Sequence, residues 1–215
     1  FLYLHPLNWY LSIEKLRDVV EVPLHEQLDI SGWDLQKALG LFRKSNPPLM
    51  EWLGSPIVYL EDFSIARKMR ALAKEYYSPV ASTYHYLHMA KGNYRDYLKG
   101  DMVWLKKYFY VLRPILAVQW IERKLGVVPT EFEVLVDNLV SEPDLKLAID
   151  ALIQAKRDGE ELDYGPRIDP ISDFVEIELQ RFENYEVENK TALPPADKLD
   201  QLFIEALDEV WGTGK

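Results

Sequence analysis

Leu28-Asp29-Ile30-Ser31-Gly32-Trp33-Asp34-Leu35 is the stretch on which the fold turns. Its first half is β-like: Leu28 and Ile30 face one way and Asp29 the other, because side chains alternate along a strand. Its second half has the spacing of a helix start, with Ser31 in the N-cap position and Asp34 three residues later, as in a capping box. Upstream, residues 1–5 and 17–22 are two further short β-rich segments. Downstream, Leu35, Leu39 and Phe42 share one side of a helix expected to run to about residue 44, where Asn46-Pro47-Pro48 stops it. A short helix over 49–53 then leads into Ser55-Pro56-Ile57-Val58-Tyr59.

From Asp62 onward the apolar spacing is helical throughout. Ile65, Met69 and Leu72 make one stripe, and Leu199, Phe203, Ala206 and Val210 make another. Helices are predicted over 63–76, 80–98, 103–125, 130–139, 143–157, 171–184 and 196–211, broken at Gly126, Pro129, Glu142-Pro143 and Pro194-Pro195. Residues 156–167 are polar and carry two glycines and a proline, which marks them as the best linker candidate. The expected fold class is α+β, predominantly helical. An α/β piece occupies residues 1–60 and a helical domain residues 61–215.

Composition narrows the function. The 215 residues are 48% hydrophobic and 13% aromatic, enough to fill a core. No apolar run has membrane length, so no membrane association is expected. A formal charge of −10 argues against a long, salt-driven grip on nucleic acid, although it leaves room for a local basic pocket. Without cysteine there is no disulfide framework and no thiolate metal site, which fits a reducing cytoplasm. The opening Phe1-Leu2-Tyr3-Leu4-His5 is strand-like and lacks the basic start of a signal peptide, so the beginning of the protein is expected to be absent.

The helix predicted around Lys106 carries the most chemistry. At 100° per residue, Lys106, Tyr110, Arg113 and Ala117 fall within about 60° of one another. Other directions are taken by Trp104, Leu105, Phe109, Val111, Leu112, Ile115, Leu116 and Val118. A helix apolar on nearly every side belongs inside a protein. Its few charges then need partners, since burying an unpaired charge is very costly. Two readings follow. Lys106, Lys107 and Arg113 could hold phosphates while Tyr110 orients a base or sugar, or Asp and Glu from neighbouring helices could pair with them.

Asp29, near a strand end ahead of a helix, is a candidate metal ligand, although magnesium sites need more than one carboxylate. The basic row Arg67, Arg70 and Lys74 reads as a solvated helix face. His85 and His88, three apart on a helix, lack a third ligand nearby. The sequence contains neither a glycine-rich phosphate loop nor a nucleophile elbow.

Leu28–Leu35 as quoted, Arg43-Lys44-Ser45-Asn46-Pro47-Pro48, Glu51-Trp52-Leu53, Ser55-Pro56-Ile57, Lys106-Lys107-Tyr108-Phe109-Tyr110-Val111-Leu112-Arg113-Pro114 and Gly165-Pro166-Arg167 together resemble a known family. They are similar to the predicted nucleotidyltransferases of the DNA polymerase β superfamily that sit in some bacterial RNA-repair gene clusters. The resemblance implies transfer of a nucleotidyl group from an NTP, with ATP the expected donor, to a hydroxyl on a nucleic-acid 3′ end, a protein or a small molecule. It implies two Mg²⁺ ions held by three carboxylates, of which Asp29 would be the third, and so the catalytic and metal residue present here. It also implies that Lys106, Lys107, Tyr110 and Arg113 line the nucleotide side of a cleft. The family's Gly-Ser and Asp-x-Asp elements precede the equivalent of Phe1, so little activity is expected of these 215 residues alone. The competing class is a non-catalytic helical module that binds a nucleotide or a protein partner.

Overall fold

A computed structural model of the chain describes residues 1–14, 16–25, 28–183 and 192–212. In chain order the elements are β1 (Leu2–Tyr3), α1 (Leu7–Tyr10), β2 (Val19–His25), β3 (Leu28–Asp34), α2 (Leu35–Arg43), α3 (Pro47–Leu53), α4 (Ile65–Tyr76) and α5 (Pro79–Tyr97). They continue with β4 (Met102–Trp104), a 3₁₀ turn (Leu105–Tyr108), α6 (Phe109–Glu122), α7 (Phe132–Leu139), α8 (Pro143–Arg157), β5 (Tyr164–Pro166), α9 (Asp169–Arg181) and α10 (Asp197–Trp211). The α+β, predominantly helical class is therefore observed. Among the described residues, no helix is long and apolar enough to cross a membrane.

The chain forms two compact units, residues 1–78 with 192–215, and residues 79–191. This differs from the expected division near residue 60. The reason is packing: α4 and α10 belong with the first unit. Phe42 of α2 meets Tyr76 of α4 with ring centroids 5.3 Å apart, and Tyr10 meets Phe203 of α10 at 4.9 Å. The Arg43 Nε donates to the Pro194 carbonyl at 2.7 Å, and the Tyr76 hydroxyl donates to that of Pro195 at 3.0 Å. A switch from strand to helix in the sequence is not a boundary of the core.

The first unit is built on a three-stranded sheet in the order β1-β3-β2, with β1 parallel and β2 antiparallel to β3. Pairing on both sides explains why β3 runs to Asp34. Ser31 lies opposite Glu21 and Trp33 lies beside both Leu2 and Val19, so Ser31 is a strand residue and not the N-cap expected for it. The cap falls to Asp34, whose carboxylate accepts the Gln36 N–H at 2.9 Å. Helix α2 then buries Leu35, Ala38, Leu39 and Phe42. At its end Ser45 takes the left-handed conformation (φ 55°), and its hydroxyl accepts the Ser78 N–H. Asn46 caps α3 by accepting from Leu49 N, with Pro47 and Pro48 in the first turn, where no N–H is required. The proline pair thus starts one helix as well as ending another.

The second unit is organised around α6. Val111, Leu112, Ile115, Leu116, Ala117 and Val118 are all fully buried, as an apolar circumference demands. The helix predicted over 103–125 is shorter, however, and begins at Phe109. The residues before it form β4 and the 3₁₀ turn, because β4 pairs with β5: Met102 with Pro166, Val103 with Gly165, Trp104 with Tyr164. The ladder continues through Leu105 N to the Asp163 carbonyl and Lys106 N to the Leu162 carbonyl. The segment expected to be a linker, 156–167, is consequently part of the second unit's framework.

Tyr108 locks this arrangement from inside. Its fully buried hydroxyl accepts the Ile168 N–H at 2.9 Å and lies 2.6 Å from the Ser172 Oγ. One phenol thereby ties the start of α6 to the start of α9. Tyr108→Phe leaves the ring's packing in place but strands a backbone N–H and a buried hydroxyl. It should lower folding stability by about 1–3 kcal/mol. The check is a shift of the urea midpoint at unchanged slope.

Candidate functional site

The 3₁₀ turn and the first turn of α6 hold the residues singled out from the sequence. Lys106 is exposed, Lys107 half-buried, Tyr110 exposed and Arg113 half-buried. Lys106 and Lys107 precede the α-helix, so their directions follow the tighter turn and not the 100° spacing assumed for them. Two of the four meet directly. The Lys107 Nζ lies 4.1 Å from the centre of the Tyr97 ring and 4.7 Å from that of Tyr110, within cation–π range of both.

Arg113 is engaged elsewhere. Its Nη1 donates to the Thr130 carbonyl at 2.9 Å and its Nη2 to the Pro129 carbonyl at 3.1 Å. The guanidinium fork thus pins the loop between α6 and α7. These are backbone acceptors, an arrangement that neither a phosphate pocket nor a carboxylate pair had anticipated.

Gly165-Pro166-Arg167, far away in sequence, folds against the same turn. A Cβ on Gly165 would come within 3.1 Å of the Leu105 Cδ1, so a larger residue there requires the Leu105 side chain to give way by a few tenths of an ångström. Arg167 is held by Asp169 (2.9 Å), Asp173 (2.5 Å) and Glu176 (3.5 Å), and these carboxylates raise its pKa against the lowering effect of desolvation. The two motifs of the second unit thus form one structural block.

Asp29 belongs to the first unit, in β3 opposite Pro23. Its side chain lies outside the described residues. Among the described residues, no group of three or more His, Asp or Glu side chains is arranged to hold a metal ion. The described carboxylates of the same sheet region are already used: Asp18 accepts from Lys37 Nζ at 2.9 Å, and Asp34 from Gln36 N and the Tyr10 hydroxyl. Of the histidines, His88 is exposed and His85 lies edge-on to Tyr86 at 5.8 Å. Arg70 of the basic row pairs with Glu61.

Two features were missed in the sequence. One is a polar cleft of about 300 Å³ in the first unit, lined by Trp9, Tyr10, Asp18, Asp34, Gln36 and Lys37 among others. Asp34 is only 1% exposed, and the Tyr10 hydroxyl donates to its Oδ2 at 2.5 Å. The signal was the aspartate itself, read as the third residue of a capping box when it is the cap. The other feature is Trp104, read as an inward residue of a long helix and found exposed on β4.

Burial first, and then the hydrogen bond to Asp34, pushes the Tyr10 hydroxyl pKa well above its usual value. A raised pKa means the folded state holds this proton more tightly than the unfolded state. The resulting stability is fully present below the ordinary tyrosine pKa of 10 and is lost as pH rises past it. Tyr3 and Tyr76 are shifted the same way, chiefly by burial. The first unit should therefore lose stability above pH 10. Tyr10→Phe should flatten part of that loss while lowering stability at neutral pH, as denaturant midpoints at the two pH values would reveal.

Comparison with known proteins places these observations in one lineage. Over all of its 215 residues the chain is 50% identical to the uncharacterized protein YcgL of Bacillus subtilis (strain 168), covering 83% of that protein. No solved structure matches. The match to the RNA repair pathway DNA polymerase beta family extends over residues 1–205, and the chain belongs to that family.

Proposed function

We propose that the protein is a nucleotidyltransferase that moves a nucleotidyl group from an NTP, with ATP as the expected donor, to a hydroxyl acceptor. The observation that carries the proposal is the family match over nearly the whole chain. The block formed by the 3₁₀ turn, the start of α6 and Gly165-Pro166-Arg167 supports it, because an exposed lysine, a second lysine and a tyrosine gather there.

Within this reading Lys106 and Lys107 meet the phosphates through charge-assisted hydrogen bonds. Tyr110, 45% exposed beside the Lys107 ammonium, offers its ring to a base or sugar. Arg113 serves by fixing the loop at residues 129–130, since direct phosphate contact would cost it two carbonyl bonds. Asp29 enters as the metal-binding carboxylate that the resemblance assigns, with Mg²⁺ supplying charge neutralisation when bound. Cytoplasmic location follows as part of the same proposal.

The test uses the full-length protein and labelled NTP. Magnesium-dependent incorporation into an acceptor is expected, and Asp29→Asn should abolish it while circular dichroism stays unchanged. The double substitution Lys106→Ala/Lys107→Ala should weaken NTP binding about a hundredfold or more, at about 1.5–3 kcal/mol for each hydrogen bond to a charged group. Arg70→Ala, on an exposed face of the first unit, should leave binding as it was. Binding that depends on the lysines without any incorporation would favour the non-catalytic nucleotide-binding module. Incorporation that survives Asp29→Asn would remove Asp29 from the mechanism.

A further inference from the structure

The two-stranded β4–β5 sheet has an unusual outer face. Val103 and Gly165 point inward and are buried, so by strand alternation Met102, Trp104, Tyr164 and Pro166 share the opposite face. Such an outward face is ordinarily polar. Here Trp104 is 45% exposed, Tyr164 directly across the ladder is 65% exposed, and Met102 is exposed too. Tyr97 extends the patch, with its ring centroid 6.2 Å from that of Trp104 at 90° and with the Lys107 ammonium on its face. Clustered exposed apolar groups mark interaction sites, whereas scattered ones do not.

We propose that this face is a stacking platform for unpaired bases of a single-stranded nucleic acid. The composition of the patch selects that occupant. Aromatic rings dominate it, and every base has a π-face to lay on them. Lys99 and Lys106 are exposed on either side of β4, and Lys107 lies against the Tyr97 and Tyr110 rings, while Asp101 and Asp163 are exposed beside the same strands. The charge around the face is therefore mixed, and it is the rings that select bases, with the lysines within reach of the phosphates between them. The platform supplies the acceptor class left open by the proposed transfer reaction, and base stacking itself does not depend on that reaction.

Fluorescence anisotropy of the full-length protein with a labelled oligoadenylate of about ten nucleotides tests this. Trp104→Ala and Tyr164→Ala should each raise Kd by about 5- to 150-fold, the range for loss of one stacked base. Leu147→Ala, at a more exposed apolar side chain on α8, should change nothing. Trp104→Tyr, which keeps a ring, should restore most of the affinity, and thermal melts would confirm that each variant is folded. A duplex of the same sequence should bind more weakly, since its bases are not free to stack. Absence of oligonucleotide binding, or binding indifferent to both substitutions, would overturn the proposal. So would self-association abolished by Trp104→Ala, which would make the face a protein interface. The binding readout needs neither NTP nor magnesium, so failure of the transferase reading would leave this result interpretable, and the reverse also holds.

Discussion

A helix that is apolar on almost every side must be covered on almost every side, and the second unit is organised by the covering of α6. Its six fully buried side chains, from Val111 to Val118, consume the flanks of α5, α7 and α9. What the helix carries that is polar can emerge only at its ends. The lysines therefore gather at the 3₁₀ turn in front of it, and Arg113, one turn further in, spends its fork on the Pro129 and Thr130 carbonyls. Position along the helix decides which cations remain available: Lys106 is exposed, and Arg113 is committed to the protein's own backbone.

That constraint also explains which parts of the fold were legible in the sequence. Long amphipathic segments were, because period 3.6 survives whatever packs against it; α4, α5, α7, α8 and α10 lie within two residues of their predicted limits. Three-residue strands were not. Nothing in Met102-Val103-Trp104 or Tyr164-Gly165-Pro166 announces a strand until the two are brought together over some sixty residues, and such pairing leaves no local period. The capping box at Ser31 failed for a related reason. Its local preference was outweighed by hydrogen bonding to strands on both sides, which carried extended backbone three residues further to Asp34.

The candidate site was legible in kind and less so in detail. Lys107 and Tyr110 were singled out together and do meet. Tyr97 and Trp104, which complete the cluster, were hidden, because one closes α5 and the other lies on a strand that was read as helix. Asp34 shows the converse. A carboxyl group only 1% exposed invites a catalytic interpretation, yet a backbone N–H and a phenol satisfy it, as a buried polar group requires. Burial of an ionisable group indicates function only when its partners fail to account for it.

The acidic balance of the chain bears on how it could hold a nucleic acid at all. At a formal charge of −10, long-range electrostatics repel a polyanion, and the counterions released by a few lysines cannot supply most of the affinity. Attraction must then be short-ranged. Stacking on Tyr97, Trp104 and Tyr164 is such a force: it is sequence-tolerant and acts only on bases already free of a duplex. Phosphate contacts from Lys99, joined by Lys106 and Lys107 when no NTP occupies them, would give a slope of only about −0.7 to −2.1 in log affinity against log salt. A weak salt slope combined with strong dependence on the rings would distinguish this mode from a basic groove. It would also favour strand ends and loops over continuous duplex, because only there are unpaired bases available without the cost of melting.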